Sequence, residues 1–205
     1  QTPLLVGSAG LCEALARHLA PVKRQQLLAV VGSMSEIAQR QIALAAAEPA
    51  VSSVFIDVND VLKGETANAL MRITQALKAG RHCLVHTCPD HEARHQVERL
   101  CAQYQMTRTE LGETICAFLG EITREALTAC PPDALYVSGG DVAMAVASAL
   151  DAQGFEITGR VAGCVPYGKF LGCAWHQPVM TKAGGFGNEE TLLEVLHFIE
   201  ERLSD

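Results

Sequence analysis

The chain has 205 residues, of which 49% are hydrophobic and 19% charged, and its formal net charge is −7. That length supports one sizeable core or two small ones, and the composition is that of a folded globular chain. The acidic balance leaves no basic stripe for a phosphate backbone, which argues against nucleic acid as a partner, and no run reaches the roughly 18 apolar residues of a membrane span.

In chain order, strands and helices alternate. Pro3 to Val6 reads as a short strand, Gly7-Ser8-Ala9-Gly10 as a turn, and Leu11, Leu15 and Leu19 as one face of a helix ending near Pro21. The plan repeats with an apolar strand from Leu27 to Val31, the small-residue turn Gly32-Ser33-Met34-Ser35, and a helix from Glu36 to Ala47. Ser35 is placed to cap that helix. Val51 to Val58 reads as a strand, Gly64 to Lys78 as a helix, Arg81 to His86 as a strand and His91 to Gln103 as a helix. Thr109 to Thr128 is a longer amphipathic helix, with Leu111, Ile115, Phe118, Leu119, Ile122 and Leu127 near one face.

Ala134 to Val137 is an apolar run ending in Ser138-Gly139-Gly140-Asp141, and the alanine-rich helix from Val142 to Leu150 follows. A strand, a tight glycine turn and a helix together aim unpaired backbone N–H groups at an anion. Asp141, at the helix start, is suited either to cap it or to hold a magnesium ion. Phe155 to Val165 alternates like a strand, and a Gly/Pro-rich loop runs from there to Pro178. Val179 to Lys182 is the last strand, Ala183-Gly184-Gly185-Phe186-Gly187 the last turn, and Asn188 to about Leu203 the last helix.

This order predicts a three-layer, Rossmann-like α/β domain with a largely parallel sheet and helices on both faces. Ligands in such sheets bind beyond the carboxyl ends of the strands, where four Gly/Ser turns would gather. Gly184, Gly185 and Gly187 ahead of Asn188 form a backbone nest for an anion, and Lys182 beside it would add a point charge for a phosphate. A salt bridge from Lys182 to Glu189 or Glu190 is the alternative.

Other patterns lead elsewhere. Gly163 to Phe170 nearly spells the phosphate-loop signature, but Phe170 replaces the hydroxyl residue and Gly172 interrupts any following helix, so it reads as a decoy. His82, Cys83, His86, Cys88, His91 and His95 lie close together without a standard zinc spacing; the reading preferred over a metal site is solvent-facing histidines beside a buried Cys83. The eight cysteines include no Cys-x-x-Cys pair and suit buried free thiols in a reducing cytoplasm. The chain opens Gln1-Thr2-Pro3 without a signal-peptide leader, and reads as a piece of something longer.

Four motifs occur in an order that resembles the C-terminal, nucleotide-binding half of the four-carbon acid sugar kinases. They are Leu5-Val6-Gly7-Ser8-Ala9-Gly10-Leu11, Val31-Gly32-Ser33-Met34-Ser35, Ser138-Gly139-Gly140-Asp141 and Thr181-Lys182-Ala183-Gly184-Gly185-Phe186-Gly187. Members of that family phosphorylate four-carbon sugar acids at the terminal hydroxyl with ATP. The resemblance implies a single nucleotide-binding domain over residues 1–205, with the N-terminal substrate domain as its partner. That N-terminal half carries an Asp-Asp-Phe-Thr-Gly-Ala-like motif, which nothing here matches, so the piece alone is expected to be inactive.

The same resemblance puts ATP contacts on Ser33 or Ser35, on Gly139 to Asp141 and on the Gly184–Gly187 turn. Joined to the residue-level reading, the candidate nucleotide site is Ser33, Ser35, Ser138, Gly139, Gly140, Asp141, Lys182, Gly184, Gly185 and Gly187, with Asp141 toward Mg²⁺. Val142 departs from the small hydroxyl residue common in the family at that position. Gly-Gly-Asp and Thr-Lys-Ala-Gly resemble the threonate and erythronate kinases; the 3-oxo-tetronate kinases more often read Gly-Gly-Glu and Lys-Ser-Gly-Asn. A 3-oxo-tetronate kinase, or a non-enzymatic module binding a nucleotide or phosphometabolite, stays open as an alternative, as does a homo-oligomer.

Overall fold

The structure is a computed structural model, and it describes residues 25–65, 67–87 and 92–202. The first strand and helix expected before Pro21, with the Gly7–Gly10 turn, lie outside the described residues, as do Cys12, Cys88 and His91.

The described elements run β1 (Leu27–Val31), α1 (Glu36–Ala46), β2 (Val51–Phe55), α2 (Val58–Lys63), α3 (Ala67–Lys78), β3 (His82–His86) and α4 (Glu92–Tyr104). They continue with α5 (Arg108–Ala129), β4 (Ala134–Ser138), α6 (Gly140–Ala149), β5 (Gly154–Ala162), β6 (Val165–Leu171), β7 (Val179–Lys182) and α7 (Thr191–Arg202). One seven-stranded sheet has the order β2-β3-β1-β4-β7-β6-β5. The first five strands in that order are parallel, and β6 and β5 extend the sheet as an antiparallel hairpin.

Every residue of β1, β3 and β4 is buried, because helices cover both faces of the sheet. Leu27, Ala29, Val31, Tyr136 and Met180 face α1 and α7, meeting Ala38, Ile42, Leu192 and Val195. Leu28, Val30, Leu135, Val137 and Val179 face α3, α5 and α6, meeting Ile73, Leu119, Ile122 and Val142. The expected three-layer α/β fold is present.

Three local readings change. Val58 belongs to a helix, not a strand: Asp57 caps α2 by accepting from Asn59 N at 2.8 Å, and Gly64 ends it at φ +75°. The supposed loop after Val165 begins as strand β6, so the decoy phosphate signature is a hairpin. Its Gly168 is needed for strand approach, since a Cβ there would lie 1.7 Å from the Glu156 carbonyl oxygen. His82 and His86 are also not solvent-facing, being only 2% and 4% exposed. They occupy alternate positions of β3 on the face toward α1 and α7.

The described cysteines 83, 101, 116, 130, 164 and 173 are free thiols, with only Cys83 fully buried. No helix among the described residues is long and apolar enough to cross a membrane.

Candidate functional site

Three of the glycine turns follow β1, β4 and β7, which are adjacent, parallel strands, so all three open at the same sheet edge. The helices that leave them alternate in side. α1 and α7 cover one face of the sheet, whereas α6, following the strand between them, covers the other. Adjacent strands whose chains depart to opposite faces leave a crevice at their carboxyl ends, the usual ligand position in such sheets.

Main-chain bonds hold the turns against one another. Gly32 N donates to Ser138 O at 3.1 Å, and Gly139 N donates to Lys182 O at 2.9 Å. Gly139 takes φ +115°, a conformation that side chains strongly disfavour, and it serves as the N-cap of α6 without any side-chain cap. The first N–H groups of α6 therefore lack intrahelical partners at the mouth of the crevice. Asp141 does not cap the helix. It sits exposed in the first turn of α6 and lines a groove of about 840 Å³ toward α5, together with Arg108, Glu113 and Cys116.

The β1 and β7 turns are in direct contact. Ser35 Oγ donates to Gly184 O at 3.0 Å and accepts from Ala38 N at 3.2 Å, so one hydroxyl both caps α1 and ties down the β7 loop. Ser33 Oγ donates to Ser35 Oγ at 3.0 Å. A Cβ on Gly184 would come within 2.5 Å of Ser33 Oγ, which is why glycine stands there. The two serines therefore brace the loop. Ser138 is fully buried, and its carbonyl, accepting from Gly32 N, is what meets the neighbouring turn.

Lys182 is 2% exposed, and its Nζ donates to the carbonyls of Ala183, Gly184 and Phe186, each at 3.0 Å. Its partners are carbonyls, rather than the carboxylates of Glu189 or Glu190. Burial lowers its pKa, against a raising influence from Cys164.

A pocket of about 380 Å³ opens on the Gly139–Gly140 turn and the Thr181–Ala183 segment. Its walls include Ala143, Ala147, Phe155 and Phe170, and the two phenyl rings meet edge-to-face with centroids 5.8 Å apart. An apolar slot beside open backbone donors suits a ligand with a flat apolar part and an anionic part.

Sequence reasoning missed two contributors to this region. Gln41 is a buried polar residue of α1 whose Nε2 donates to Asn188 O at 2.6 Å, fastening the far end of the β7 loop. Nothing in the sequence marks it. Phe155 and Phe170 become neighbours only through the β5–β6 hairpin, which the sequence reading ended too early.

The histidines have structural partners. His82 Nδ1 accepts from Leu27 N, and its Nε2 lies 3.1 Å from Glu200. His86 Nε2 lies 2.9 Å from Ser53 Oγ. Among the described residues, no group of three His, Cys, Asp or Glu side chains is placed to hold a metal.

These features define a doubly wound α/β domain with an anion-friendly crevice, and comparison with known proteins gives the class: a family model described as a nucleotide-binding C-terminal domain matches residues 28–192. A D-threonate kinase of Salmonella typhimurium is 39% identical over 97% of this chain and 49% of its own length. A D-erythronate kinase of Heliobacterium modesticaldum is 29% identical over 94% of this chain and 47% of its own. The chain belongs to the four-carbon acid sugar kinase family, as its nucleotide-binding C-terminal domain type, and spans about half the length of these relatives.

A crystal structure from Bordetella bronchiseptica, described as a domain of unknown function with bound citrate and a domain-swapped dimer, superposes with a TM-score of 0.68. It is 28% identical, and the match covers 96% of this chain and 46% of that one.

Proposed function

We propose that this chain is the ATP-binding domain of a kinase that transfers the γ-phosphate of ATP to the terminal hydroxyl of a four-carbon sugar acid of the D-threonate or D-erythronate type. The observation that carries this reading is the meeting of three glycine turns at the ends of β1, β4 and β7, beside the apolar pocket of Phe155 and Phe170. The base would occupy that pocket. The phosphates would lie against the open N–H groups at the start of α6, from Gly140 on, and those of Gly184, Gly185 and Gly187, in a loop that the Ser33–Ser35 turn ties down.

Such donors are fixed before the reaction, so they stabilise charge on the transferring phosphoryl group without reorganising. Asp141 stands in the first turn of α6 as an exposed carboxylate, on the groove it shares with Glu113. That suits Mg²⁺, which keeps water and phosphate oxygens as its other ligands, and Asp141 would hold it there. The acceptor hydroxyl and the base that deprotonates it belong to an N-terminal substrate domain, the partner across the crevice. Closure of the two halves would exclude water from the phosphoryl group. The free thiols suit a reducing cytoplasm, and the domain-swapped Bordetella dimer supports a homo-oligomeric enzyme.

The test is ATP-dependent phosphorylation of D-threonate and D-erythronate by the full-length enzyme, wild type and Asp141→Ala. Turnover that depends on Mg²⁺ and falls by about a hundredfold or more in the variant supports the assignment. Wild-type turnover in Asp141→Ala would remove that residue from the site, and ATP binding without transfer to any four-carbon acid would favour a binding module.

A further inference from the structure

The loop after β7 is built around a cation. The ammonium of Lys182 has three protons and accepts nothing, so the carbonyls of Ala183, Gly184 and Phe186 take its whole donor capacity. A charge buried this deeply is tolerated because those oxygens replace water around it.

The geometry has a second effect. A trans peptide sets its C=O and N–H on opposite sides. Turning the carbonyls of residues 183, 184 and 186 onto Lys182 turns the N–H groups of Gly184, Gly185 and Gly187 away from it. Phe186 N is occupied within the turn, donating to Ala183 O at 3.1 Å. Among the described residues, the N–H groups of Gly184, Gly185 and Gly187 donate no hydrogen bond. Ser35 and Gln41 hold the same loop from the α1 side, again through carbonyl oxygens.

We infer that Lys182 is a positioning residue: by gathering three carbonyls at one point it presets the N–H groups of Gly184, Gly185 and Gly187 as a cradle for the phosphate chain, without touching phosphate itself. This rests on the nucleotide reading of the crevice and specifies how the loop takes part in it. A direct contact would require Nζ to surrender its three hydrogen bonds and leave a buried ammonium without them. Arginine could not substitute, because its planar fork spreads its donors instead of converging them.

The test uses this chain carrying Lys182→Met or Lys182→Arg, with two readouts: ¹⁵N order parameters of the ligand-free loop, and affinities for ATP and adenosine. Gly184, Gly185 and Gly187 are expected at about 0.85 in the wild type and below about 0.6 in both variants. ATP affinity is expected to fall about tenfold or more in both variants, with adenosine affinity within about twofold of wild type, the loss of a charge-assisted contact set being confined to the phosphates. Gln41→Leu, which frees the other end of the loop and keeps Lys182, should lower the same order parameters and serves if the lysine variants fail to fold.

Unchanged order parameters in the ligand-free variants would overturn the inference, as would ATP binding lost in Lys182→Met but retained in Lys182→Arg. Equal loss of ATP and adenosine binding would reduce Lys182 to general structural support and overturn it too. If the wild type binds neither ligand, the nucleotide reading fails, and the ligand-free loop still reports whether Lys182 sets its conformation.

Discussion

The imidazole of His86 closes the carboxyl end of β3, with Nε2 against Ser53 Oγ and its ring tilted on Phe55 at 5.8 Å. Burial, with the Arg72 charge adding to it, lowers its pKa to about 4. The unfolded chain protonates this residue near its ordinary value of about 6.5, so between about 6.5 and about 4 the unfolded state binds more protons. Stability is therefore full above that window and falls as pH drops through it, by about 3 kcal/mol at most from this residue. Urea denaturation of wild type and His86→Gln at neutral pH and near pH 4.5 checks this: the variant should lose less stability on acidification. Sequence reasoning placed this residue in solvent; its burial follows from α1 and α7 covering its face of β3.

At the scale of elements, the strands that carry the site were legible. β1, β4 and β7 are short apolar runs that end in glycine turns, and Ser35 announced its helix by the ordinary capping rule. α2 was not recognised, although Asp57 and Gly64 are the cap and stop of a single short helix, because Val51 to Val58 read as one apolar run. β6 was missed because Pro166, Gly168 and Gly172 look like loop residues until the hairpin partner is known. Contacts between turns were also illegible, since Ser33 and Gly184 are far apart in sequence.

That last contact yields its own prediction. In Gly184→Ala the new methyl would press on Ser33 Oγ and break the Ser33–Ser35 pair, shifting the loop by a few tenths of an ångström. ATP affinity is expected to fall about tenfold with a stability loss near 1 kcal/mol, the scale of one disrupted hydrogen-bonded contact. Adding Ser33→Gly, which removes the obstructing side chain, should recover part of the affinity. Calorimetric titration of the single and double variants decides it, and an additive further loss would show that the two turns do not bear on one another.

At the scale of the whole molecule, alternation of strands and helices indicated an α/β sheet but not its strand order. Which turns become neighbours depends on β1, β4 and β7 lying side by side, and on α6 leaving to the face opposite α1 and α7. The apolar pocket likewise needs the antiparallel hairpin that ends the sheet. The result is a crevice at one sheet edge beside an apolar pocket. The chain spans about half the length of its kinase relatives, and under the proposed function it supplies the nucleotide side and leaves the acceptor to the other half.

The most direct measurement is a ¹⁵N and methyl/aromatic NMR titration of this chain with ATP. The account predicts saturable shifts centred on the amides of Gly139 to Val142 and Gly184 to Gly187, with accompanying shifts at Phe155 and Phe170. Saturating ATP that left these groups unmoved, or that shifted a different surface such as the α5–α6 groove alone, would contradict it.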